Sequence, residues 1–351
     1  MTIAESILWP LTLPYGAAVQ IRAQAYRWGI LRQQRVGGVV ISVGNLTVGG
    51  TGKTPMVLWI AQRLLADGRA TGILTRGYRG EPAAAGANAP EAKQSGTEAG
   101  DDLTSDEVQI LRARLGERVL LGVGADRFAC GCELAKRGVG WFLLDDGFQH
   151  LQLARDVDIV LIDASNPFGG RHLLPAGRLR EPRSALSRAD IVVITRSGHS
   201  PGLEAAIRQD SNAPIFYART QLDSVWARNG SVSEDDADLR RKRLFAFCGI
   251  GNPPAFVSDL REWGFQVVGQ KFFRDHHRYA RREISEIEAE ARGSGAEALI
   301  CTEKDAFNLG SVRCDGLDVL YCRISMRVDR EEEFWREIIA RTKRKTGHPF
   351  R

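Results

Sequence analysis

The sequence predicts an α/β protein with two α/β/α domains, the first of them a doubly wound, mostly parallel sheet. Three observations lead to this class. The chain has 351 residues, 43% of them hydrophobic, and a single hydrophobic core stops growing before that length. Short β-branched runs alternate with helical stretches, the order typical of a parallel sheet covered on both faces. A glycine-rich turn joins the first of these runs to an apolar helix.

Residues 1–35 are predicted to form a separate amphipathic segment at the N-terminus. Its first part, residues 6–21, carries no charge. This part is too short to span a membrane, and Pro10 and Pro14 are expected to break it. The run should therefore not cross a bilayer.

The following part, residues 17–35, mixes apolar and aromatic side chains with arginines. No acidic residue lies between Glu5 and Asp67, so this end of the chain is basic. Composition leaves two interpretations open: a helix lying in a membrane interface, or a helix packed on its own domain with a solvated arginine face. A lipid substrate would favour the first.

The first domain is predicted over residues 36–219. Residues 80–102 are rich in alanine, glycine and proline without an apolar period, so we expect a mobile insertion at the rim of the sheet. The strands are expected at residues 39–43, 71–75, 119–123, 141–144, 159–162, 191–195 and 215–218.

A hairpin linker is predicted over residues 220–243, because Asn229-Gly230 lies between two short extended runs. A smaller α/β domain is predicted to follow over residues 244–351, and a basic helix ends it. Its strands are expected at residues 244–248, 266–268, 299–302 and 319–324.

The glycine-rich turn after the first strand predicts a nucleotide site. In such a turn, backbone amides bind phosphate, the lysine reaches the β- and γ-phosphates, and the next hydroxyl faces Mg²⁺. The stretch departs from the strict P-loop pattern at Thr47, where a glycine is usual. The residues assigned to this P-loop are Gly49, Gly50, Thr51, Gly52, Lys53 and Thr54.

Two adjacent aspartates predict where Mg²⁺ binds in this site. Asp145 and Asp146 directly follow the strand at residues 141–144, where a P-loop protein holds its Mg²⁺. Neighbouring carboxylates repel each other unless a cation lies beside them, which favours a metal site over a solvated turn.

Charge and cysteine content exclude several classes. A net charge of +5, from 48 basic and 43 acidic residues, gives no whole-chain argument for nucleic-acid binding. The six cysteines show neither a disulfide framework nor zinc-site spacing, so Cys130 and Cys132 are expected to be reduced thiols. The beginning of the chain does not resemble a secretory signal, and a cytoplasmic protein is expected.

Seven motifs together resemble one family, the tetraacyldisaccharide 4'-kinases of the lipid A pathway in Gram-negative bacteria. Their order along the chain matches, and they extend over most of its length. The motifs are VGNLTVGGTGKTP at 43–55, TRGY at 75–78, LLDDGFQH at 143–150, GRLREP at 177–182, FCGIGNP at 247–253, DHHRY at 275–279 and CTEKDA at 301–306.

The resemblance implies an enzyme that uses ATP and Mg²⁺. It would transfer the γ-phosphate to the 4'-hydroxyl of a tetraacylated glucosamine disaccharide 1-phosphate, giving the bis-phosphorylated precursor lipid IVA. It also implies a peripheral or monotopic protein on the cytoplasmic face of the inner membrane, which favours the interface interpretation of the N-terminal segment. Partners expected are the lipid substrate and the membrane surface; neither nucleic acid nor a protein partner is expected.

The resemblance also assigns the proton acceptor. Asp106 matches the family's catalytic base and His276 its partner, with Lys53 as the third catalytic residue. The loop around Asp106 reads SDEV instead of the family's GDEP, so Asp101 and Asp102 stay as alternatives. Because Asp106 and His276 fall in different predicted domains, closure of the domains is expected to assemble the pair.

The same resemblance implies one further metal-site residue, and the residues themselves suggest others. Glu181 is expected at the metal with Thr54, Asp145 and Asp146; its alternative is an ion pair with Arg178, Arg180 or Arg183. From the residues themselves, Gln149 and His150 are expected at the nucleotide, and His150 could instead orient a metal-site aspartate or cap the end of its strand. For Arg76 and Arg127, phosphate binding and a plain surface position stay open. Lys304 and Asp305 are interpreted as a charge pair at a helix start, without a catalytic role.

Two rival functions have weaker support. A P-loop nucleotide-dependent switch that binds guanine would carry a K-x-D motif, and no lysine in this sequence is followed two residues later by aspartate. Metal delivery would want a histidine tract or a C-x-x-C, and neither occurs. A catalytically inactive membrane-surface module is favoured only by the divergent SDEV loop.

Overall fold

The structure is a computed structural model that describes residues 3–77, 105–228, 236–312, 314 and 316–346. Contacts between Cα atoms divide the chain into two compact units. The first unit consists of Met1–Arg76, Leu115–Thr220 and Met326–Arg351, and the second of Gly77–Arg114 and Gln221–Ser325.

The elements are numbered in chain order. The described strands are β1 (Val39–Asn45), β2 (Thr71–Thr75), β3 (Leu120–Val123), β4 (Trp141–Asp145), β5 (Val157–Asp163), β6 (Ile191–Thr195), β7 (Ile215–Ala227), β8 (Arg243–Cys248), β9 (Gln266–Phe272), β10 (Ala298–Thr302) and β11 (Val319–Val328). The described helices are α1 (Ile3–Arg27), α2 (Lys53–Ala66), α3 (Asp106–Leu115), α4 (Arg127–Lys136), α5 (Pro201–Arg208), α6 (Asp236–Arg241), α7 (Pro253–Glu262), α8 (Arg281–Gly293), α9 (Glu303–Asn308) and α10 (Glu331–Thr346).

The first unit contains a parallel sheet with the strand order β3-β2-β4-β1-β5-β6-β7. Every residue of β1, β2, β4, β5 and β6 is buried. These strands are mostly apolar, and β1, β5 and β6 are rich in valine and isoleucine, as expected for a sheet covered on both faces. The predicted doubly wound α/β class is confirmed.

This order places the end of β1 between two neighbours. Val43 lies opposite Asp145 of β4, and Asn45 lies opposite Leu161 of β5. Ligands of open α/β sheets bind outside the carboxyl ends of the strands. The loops that follow β1 and β4 therefore share one edge of the sheet.

The second unit contains a parallel sheet in the order β11-β10-β8-β9. Both faces of this sheet are apolar, as strand β8 illustrates. Leu244 and Ala246 belong to one core cluster, whereas Phe245 and Phe247 belong to another. Successive side chains of a strand point to opposite faces. Helix α7 contributes to the first cluster and helix α8 to the second.

The expectation that prolines break the N-terminal segment is wrong. Helix α1 continues through both Pro10 and Pro14. A proline removes one backbone hydrogen bond from a helix, but a tertiary contact helps to hold this helix in place. The Tyr15 hydroxyl donates to the Arg180 carbonyl at 2.9 Å. Within the helix, the Thr12 hydroxyl donates to the Trp9 carbonyl at 2.6 Å. No helix in the described part of the chain is both long and apolar enough to cross a membrane.

The units group the chain differently from the predicted ranges 36–219 and 244–351. Gly77–Arg114 belongs with the second unit, and Met326–Arg351 belongs with the first. As a statement about independently folding domains, the predicted ranges stay a prediction. The expected turn at Asn229-Gly230 and the insertion at 80–102 lie outside the described residues.

Candidate active site

The P-loop of the first unit connects the end of β1 to the beginning of α2. Gly52 precedes this helix with φ 87°, in the left-handed region. This conformation favours glycine, and a Cβ there would also displace the flexible end of Met326, whose Cε atom would lie 2.9 Å away. The Thr51 carbonyl accepts a hydrogen bond from the Thr195 hydroxyl at 3.2 Å, which ties the loop to the end of β6. The first amides of α2 have no partner within the helix and are suited to bind an anion.

Lys53 extends over the edge of the sheet. Its Nζ atom lies 3.4 Å from the Asn45 Oδ1 atom and 3.6 Å from the Asp146 Oδ1 atom. Only 13% of its side chain is exposed. The two contacts hold the ammonium group at the ends of β1 and β4, where a phosphate bound by the loop would lie.

Two buried polar atoms test whether this edge fits a nucleotide. The Thr51 Oγ1 and Asn45 Nδ2 atoms are buried and have no hydrogen-bond partner among the described residues. Both are donors, and a buried donor without a partner costs roughly 1–3 kcal/mol. Phosphate oxygens would satisfy them, so the residues present fit the phosphates of ATP.

The two aspartates after β4 have different surroundings. Asp145 is buried and accepts a hydrogen bond from the Thr75 hydroxyl at 3.4 Å. Asp146 adopts the left-handed conformation, with φ 50°. Its carboxylate is 2.7 Å from the Arg180 Nη1 atom. Burial raises the pKa of Asp146, but Lys53 and Arg180 outweigh this and hold the pKa below its ordinary value.

A Mg²⁺ ion would meet oxygen ligands here. Thr54 is the second residue of α2, and Asp145 and Asp146 end the neighbouring strand. In the described part of the chain, no three histidine, cysteine or acidic side chains form a metal cluster. Mg²⁺ in nucleotide enzymes commonly uses one or two carboxylates, with phosphates and water completing the shell. The residues present fit a metal that arrives with the nucleotide.

Glu181 is buried in an ion pair, but with a partner that the sequence did not indicate. Its carboxylate lies 2.9 Å from the Nη2 atom of Arg188, which was not among the expected partners Arg178, Arg180 and Arg183. The role of Glu181 at the metal stays a prediction.

Gln149 and His150 lie beside this edge. Gln149 donates from Nε2 to the Asn45 carbonyl at 3.0 Å. Burial, with Arg127 adding to it, lowers the pKa of His150 to about 4, so its imidazole is neutral near pH 7. The His150 Nε2 atom is buried without a partner among the residues described. A neutral ring with one unpartnered nitrogen suits a neighbouring ligand.

Arg127 is a buried arginine and not a surface one. It begins α4, is 8% exposed, and its Nη1 atom lies 3.5 Å from His150 Nδ1. Burial is the largest cause that lowers its pKa, followed by the charge of Arg76, while Asp146 and Asp145 oppose the shift. A guanidinium kept charged at such a position favours the phosphate interpretation.

The second unit holds the predicted carboxylate and histidine pair. Asp106 begins α3 and is 4% exposed. The His276 Nδ1 atom lies 3.1 and 3.0 Å from its two carboxylate oxygens. Asn308 donates from Nδ2 at 3.0 Å, and the Lys304 Nζ atom lies 3.7 Å away. Asp106 and His276 thus meet within one unit, so the expectation that they belong to different domains does not match the contact units.

Neighbouring charges and hydrogen bonds determine the protonation states of this pair. Burial is the largest influence on the pKa of Asp106 and raises it, but His276, Lys304 and Asn308 together lower it below its ordinary value. The hydrogen bond to Asp106 is the main cause that raises the pKa of His276. Asp106 is therefore ionised near pH 7. Asp101 and Asp102, the alternatives to it, lie outside the described residues.

The backbone around His276 is strained and held from two sides. His276 has φ 59°, which non-glycine residues rarely adopt. Its amide donates to the Gly249 carbonyl at 3.1 Å and to the Asp275 Oδ1 atom at 3.0 Å. Strain of this kind persists only where surrounding contacts impose it, and it clusters at functional sites.

These contacts reveal three roles that the sequence did not predict: Arg180 on Asp146, and Lys304 and Asn308 on Asp106. Each lies in or next to a motif that carries the family resemblance. Their contacts join residues far apart in the chain, so spacing alone gave no signal for them.

Comparison with known proteins finds a family whose model matches most of the chain. The model of a family described as "Tetraacyldisaccharide-1-P 4'-kinase" matches residues 4–343. The chain is similar to the tetraacyldisaccharide 4'-kinase of Geobacter metallireducens, with 40% identity over 325 residues, 91% of this chain and 92% of that protein. The corresponding protein of Pelobacter propionicus is 39% identical over 305 residues, 87% of this chain and 83% of that protein.

One solved structure is similar over almost the whole chain. It is LpxK from Aquifex aeolicus in complex with ATP, with 27% sequence identity and a TM-score of 0.67. The match covers 96% of this chain and 99% of that one.

Proposed function

The chain belongs to the tetraacyldisaccharide-1-P 4'-kinase family, and we propose from this the reaction that its residues perform. It is an ATP-dependent kinase that phosphorylates the 4'-position of a lipid A precursor. The acceptor is the 4'-hydroxyl of a tetraacylated glucosamine disaccharide 1-phosphate, and the product is the bis-phosphorylated lipid. The observation that carries the assignment of roles is the buried Asp106–His276 pair, because a kinase needs a proton acceptor and a binding switch does not.

The P-loop edge of the first unit supplies charge neutralisation. Lys53 and the first amides of α2 bind the β- and γ-phosphates, and their position beside Asn45 and Asp146 supports this role. Thr54, Asp145, Asp146 and Glu181 are the residues that would hold Mg²⁺. The bound ion neutralises charge on the transferred phosphoryl group.

Asp106 receives the proton of the attacking hydroxyl. Its ionised state supports this, since a carboxylate must be unprotonated to act as a base. His276 orients the carboxylate through its Nδ1 atom. Positioned bases of this type typically contribute about 100- to 10,000-fold to the rate.

The N-terminal helix places the enzyme on a membrane surface, which we propose is the cytoplasmic face of the inner membrane. Most of the large exposed apolar side chains among the described residues lie in or just after α1. The surface of a soluble protein rarely exposes so many apolar side chains in one segment, and a segment with tryptophans and arginines suits the interfacial region of a bilayer. The residues and their exposures are Trp9 45%, Leu11 54%, Leu13 63%, Ile21 69%, Trp28 71%, Ile30 70% and Leu31 41%.

The test is transfer of radiolabelled γ-phosphate from Mg-ATP to the tetraacylated disaccharide 1-phosphate in mixed detergent micelles. We expect a labelled lipid only when the acceptor is present, and no product from Lys53→Ala. The matched control Lys271→Ala changes a lysine paired with Glu290 in the second unit and should behave as wild type. A folded enzyme that binds ATP but labels no acyl variant of the acceptor would overturn the proposal.

A further inference from the structure

Lys304 is a lysine with little exposure in the second unit, in contact with both members of the proposed base. Its side chain is 16% exposed. The Nζ atom lies 3.7 Å from the Asp106 Oδ2 atom, 3.4 Å from the His276 Nε2 atom and 3.1 Å from the Asp275 Oδ1 atom. The ammonium group thus contacts the carboxylate and the histidine at the same time.

The contact with His276 constrains the imidazole. A lysine ammonium has three donors and no acceptor, so the Nε2 atom facing it must accept. The ring proton then lies on Nδ1, which donates to Asp106 at 3.0–3.1 Å. A doubly protonated ring would place an N–H donor against the ammonium. Lys304 therefore favours the neutral tautomer in which Asp106 receives the ring's only N–H group.

The backbone that carries Lys304 is held firmly. Helix α9 begins with a capping box in which Thr302 and Asp305 satisfy each other's amides. Asp305 is fully buried and accepts from the Gly249 amide and the Tyr279 hydroxyl, both at 2.7 Å. Gly249 in turn accepts from the His276 amide at 3.1 Å. The strained histidine and the lysine are thus fixed to one scaffold.

Helix α9 is also tied to the helix that carries the carboxylate. The Glu303 carboxylate pairs with Arg114 of α3 at 3.1 Å, and Glu303 is 6% exposed. Asn308, at the other end of α9, donates to Asp106. Contacts at both ends of these helices fix the distance between Lys304 and Asp106.

We propose that Lys304 is a positioning residue for the phosphoryl transfer: its ammonium group keeps Asp106 ionised and holds His276 as the tautomer that donates from Nδ1. The inference rests on the proposed function of the Asp106–His276 pair. It also gives a role to a residue for which the sequence indicated only a charge at a helix start.

The charged groups around the pair decide the direction of the effect. His276 faces Asp106, Lys304 and Asp275, and Lys304 additionally faces Glu107. Lys304 lowers the pKa of both Asp106 and His276, although other groups have larger effects on each. Removing its charge raises both pKa values. The acidic limb of the rate profile must then move to higher pH whichever of the two loses its proton there.

The first experiment measures kcat/KM against pH for wild type, Lys304→Met, Lys304→Arg and the surface control Lys271→Met. We expect the acidic limb of Lys304→Met to move up by about one pH unit, the lower end of the shift that a nearby opposite charge produces. Its activity should recover towards the wild-type value at alkaline pH. Lys304→Arg should keep the wild-type limb with a lower kcat, and Lys271→Met should match wild type throughout.

The second experiment does not depend on activity. Nitrogen NMR of the imidazoles, with His276 assigned by its loss in His276→Gln, reports tautomer and titration directly. Above the pKa of His276, where the ring is neutral, wild type and Lys304→Arg should show the proton on Nδ1, whereas Lys304→Met should show a mixture of tautomers. The pKa of His276 should also be higher in Lys304→Met than in wild type. A wild-type pH limb and wild-type His276 signals in folded Lys304→Met would overturn the inference. Absence of transfer by wild type would overturn the proposed function instead, and the NMR result would still stand.

Discussion

Asp106 combines deep burial with a full set of donors, which is unusual for a carboxylate expected to accept a proton. Burial alone would favour its protonated form, yet His276, Lys304 and Asn308 surround it and keep it charged. The site therefore holds the ionised Asp106 carboxylate at a position with little access to water. Such an anion has few competing partners, and a hydroxyl that reaches it would lose its proton to a defined oxygen.

The substitution Asp106→Asn tests whether catalysis needs the charge of this carboxylate. It keeps the shape of the side chain and removes the charge, so we expect kcat to fall by about 100- to 10,000-fold. ATP affinity should stay unchanged, because the P-loop residues are untouched. Radiometric transfer and a fluorescent nucleotide titration measure the two quantities. The control Asp238→Asn, at a side chain 71% exposed, should retain full activity; equal losses in both variants would contradict the assignment.

The hydrogen bond between Asp106 and His276 also predicts a pH-dependent stability. The pKa of His276 is raised in the folded chain from an ordinary value of 6.5, chiefly by Asp106. A raised pKa means that the protonated ring stabilises the fold below pH 6.5 and that this contribution is lost as pH rises through the folded value. The melting temperature of wild type should therefore exceed that of His276→Gln by more at about pH 6 than at about pH 8.5.

The Asp106→Asn variant supplies the control for that measurement. In Asp106→Asn the main cause that raises the histidine pKa is gone, while burial and Lys304 still lower it. Adding His276→Gln in this background should therefore no longer cost more melting temperature at about pH 6 than at about pH 8.5. A gap that still grows towards low pH in this background would assign the effect to another group.

At the scale of elements, the sequence predicted the buried strands well and the half-exposed ones poorly. Strands β2 and β6 have the predicted bounds, because a β-branched run flanked by turn residues marks both ends. Strand β7 was predicted to end at Ala218 but continues to Ala227. Beyond Ala218 its residues are mostly exposed or half-buried and polar, so apolar content ceases to mark the strand.

Helix α1 shows the same limit for helices. Prolines are strong breakers in isolated sequence, but contacts such as the Tyr15 hydroxyl on the Arg180 carbonyl come from the fold and are invisible in local sequence. The pairing of Asp106 with His276 was predictable only through the family motifs. Lys304 and Asn308 required coordinates, because their partners lie 198 and 202 positions away.

The exposed apolar side chains of α1 carry the prediction for membrane binding. We expect Leu13→Ser with Ile21→Ser to weaken binding to anionic phospholipid vesicles by at least about tenfold, since burying each side chain is worth roughly 1.5–3 kcal/mol. Sedimentation with vesicles measures this. Both positions are more than 60% exposed, so thermal stability should not change.

Val268→Ser is the matched control for that change. Val268 is an exposed apolar residue of β9, 39% accessible, and lies outside the N-terminal segment. Its substitution should leave vesicle binding as in wild type. Similar losses in both variants would point to nonspecific adsorption in place of an interfacial helix.

At the scale of the whole molecule, the first unit is completed by the last part of the chain. Helix α10 places Phe334 5.4 Å from the Trp59 ring and 5.1 Å from the Phe216 ring, measured between centroids. Phe334 is fully buried. A core contact between residues so distant in sequence could not be recognised from local patterns.

Truncation tests this dependence. A fragment ending at Ser325 should fail to form a cooperatively melting first unit, and Phe334→Ala in the full chain should cost roughly 3–5 kcal/mol of stability. A fragment ending at Thr346 keeps all of α10 and should melt as the full chain does. Calorimetry compares the two fragments and Phe334→Ala with the full chain. A native-like transition in the shorter fragment would support the predicted boundary at 219 instead.

Because of the left-handed backbone at His276, selection for stability and selection for turnover favour different residues at this position. A histidine held at φ 59° costs on the order of 1–3 kcal/mol that a glycine would not. Screening a random library only for heat resistance would therefore enrich glycine at this position and discard the imidazole. Laboratory evolution of a hardier variant has to select for turnover at the same time, because stability alone would drive the chain away from catalysis.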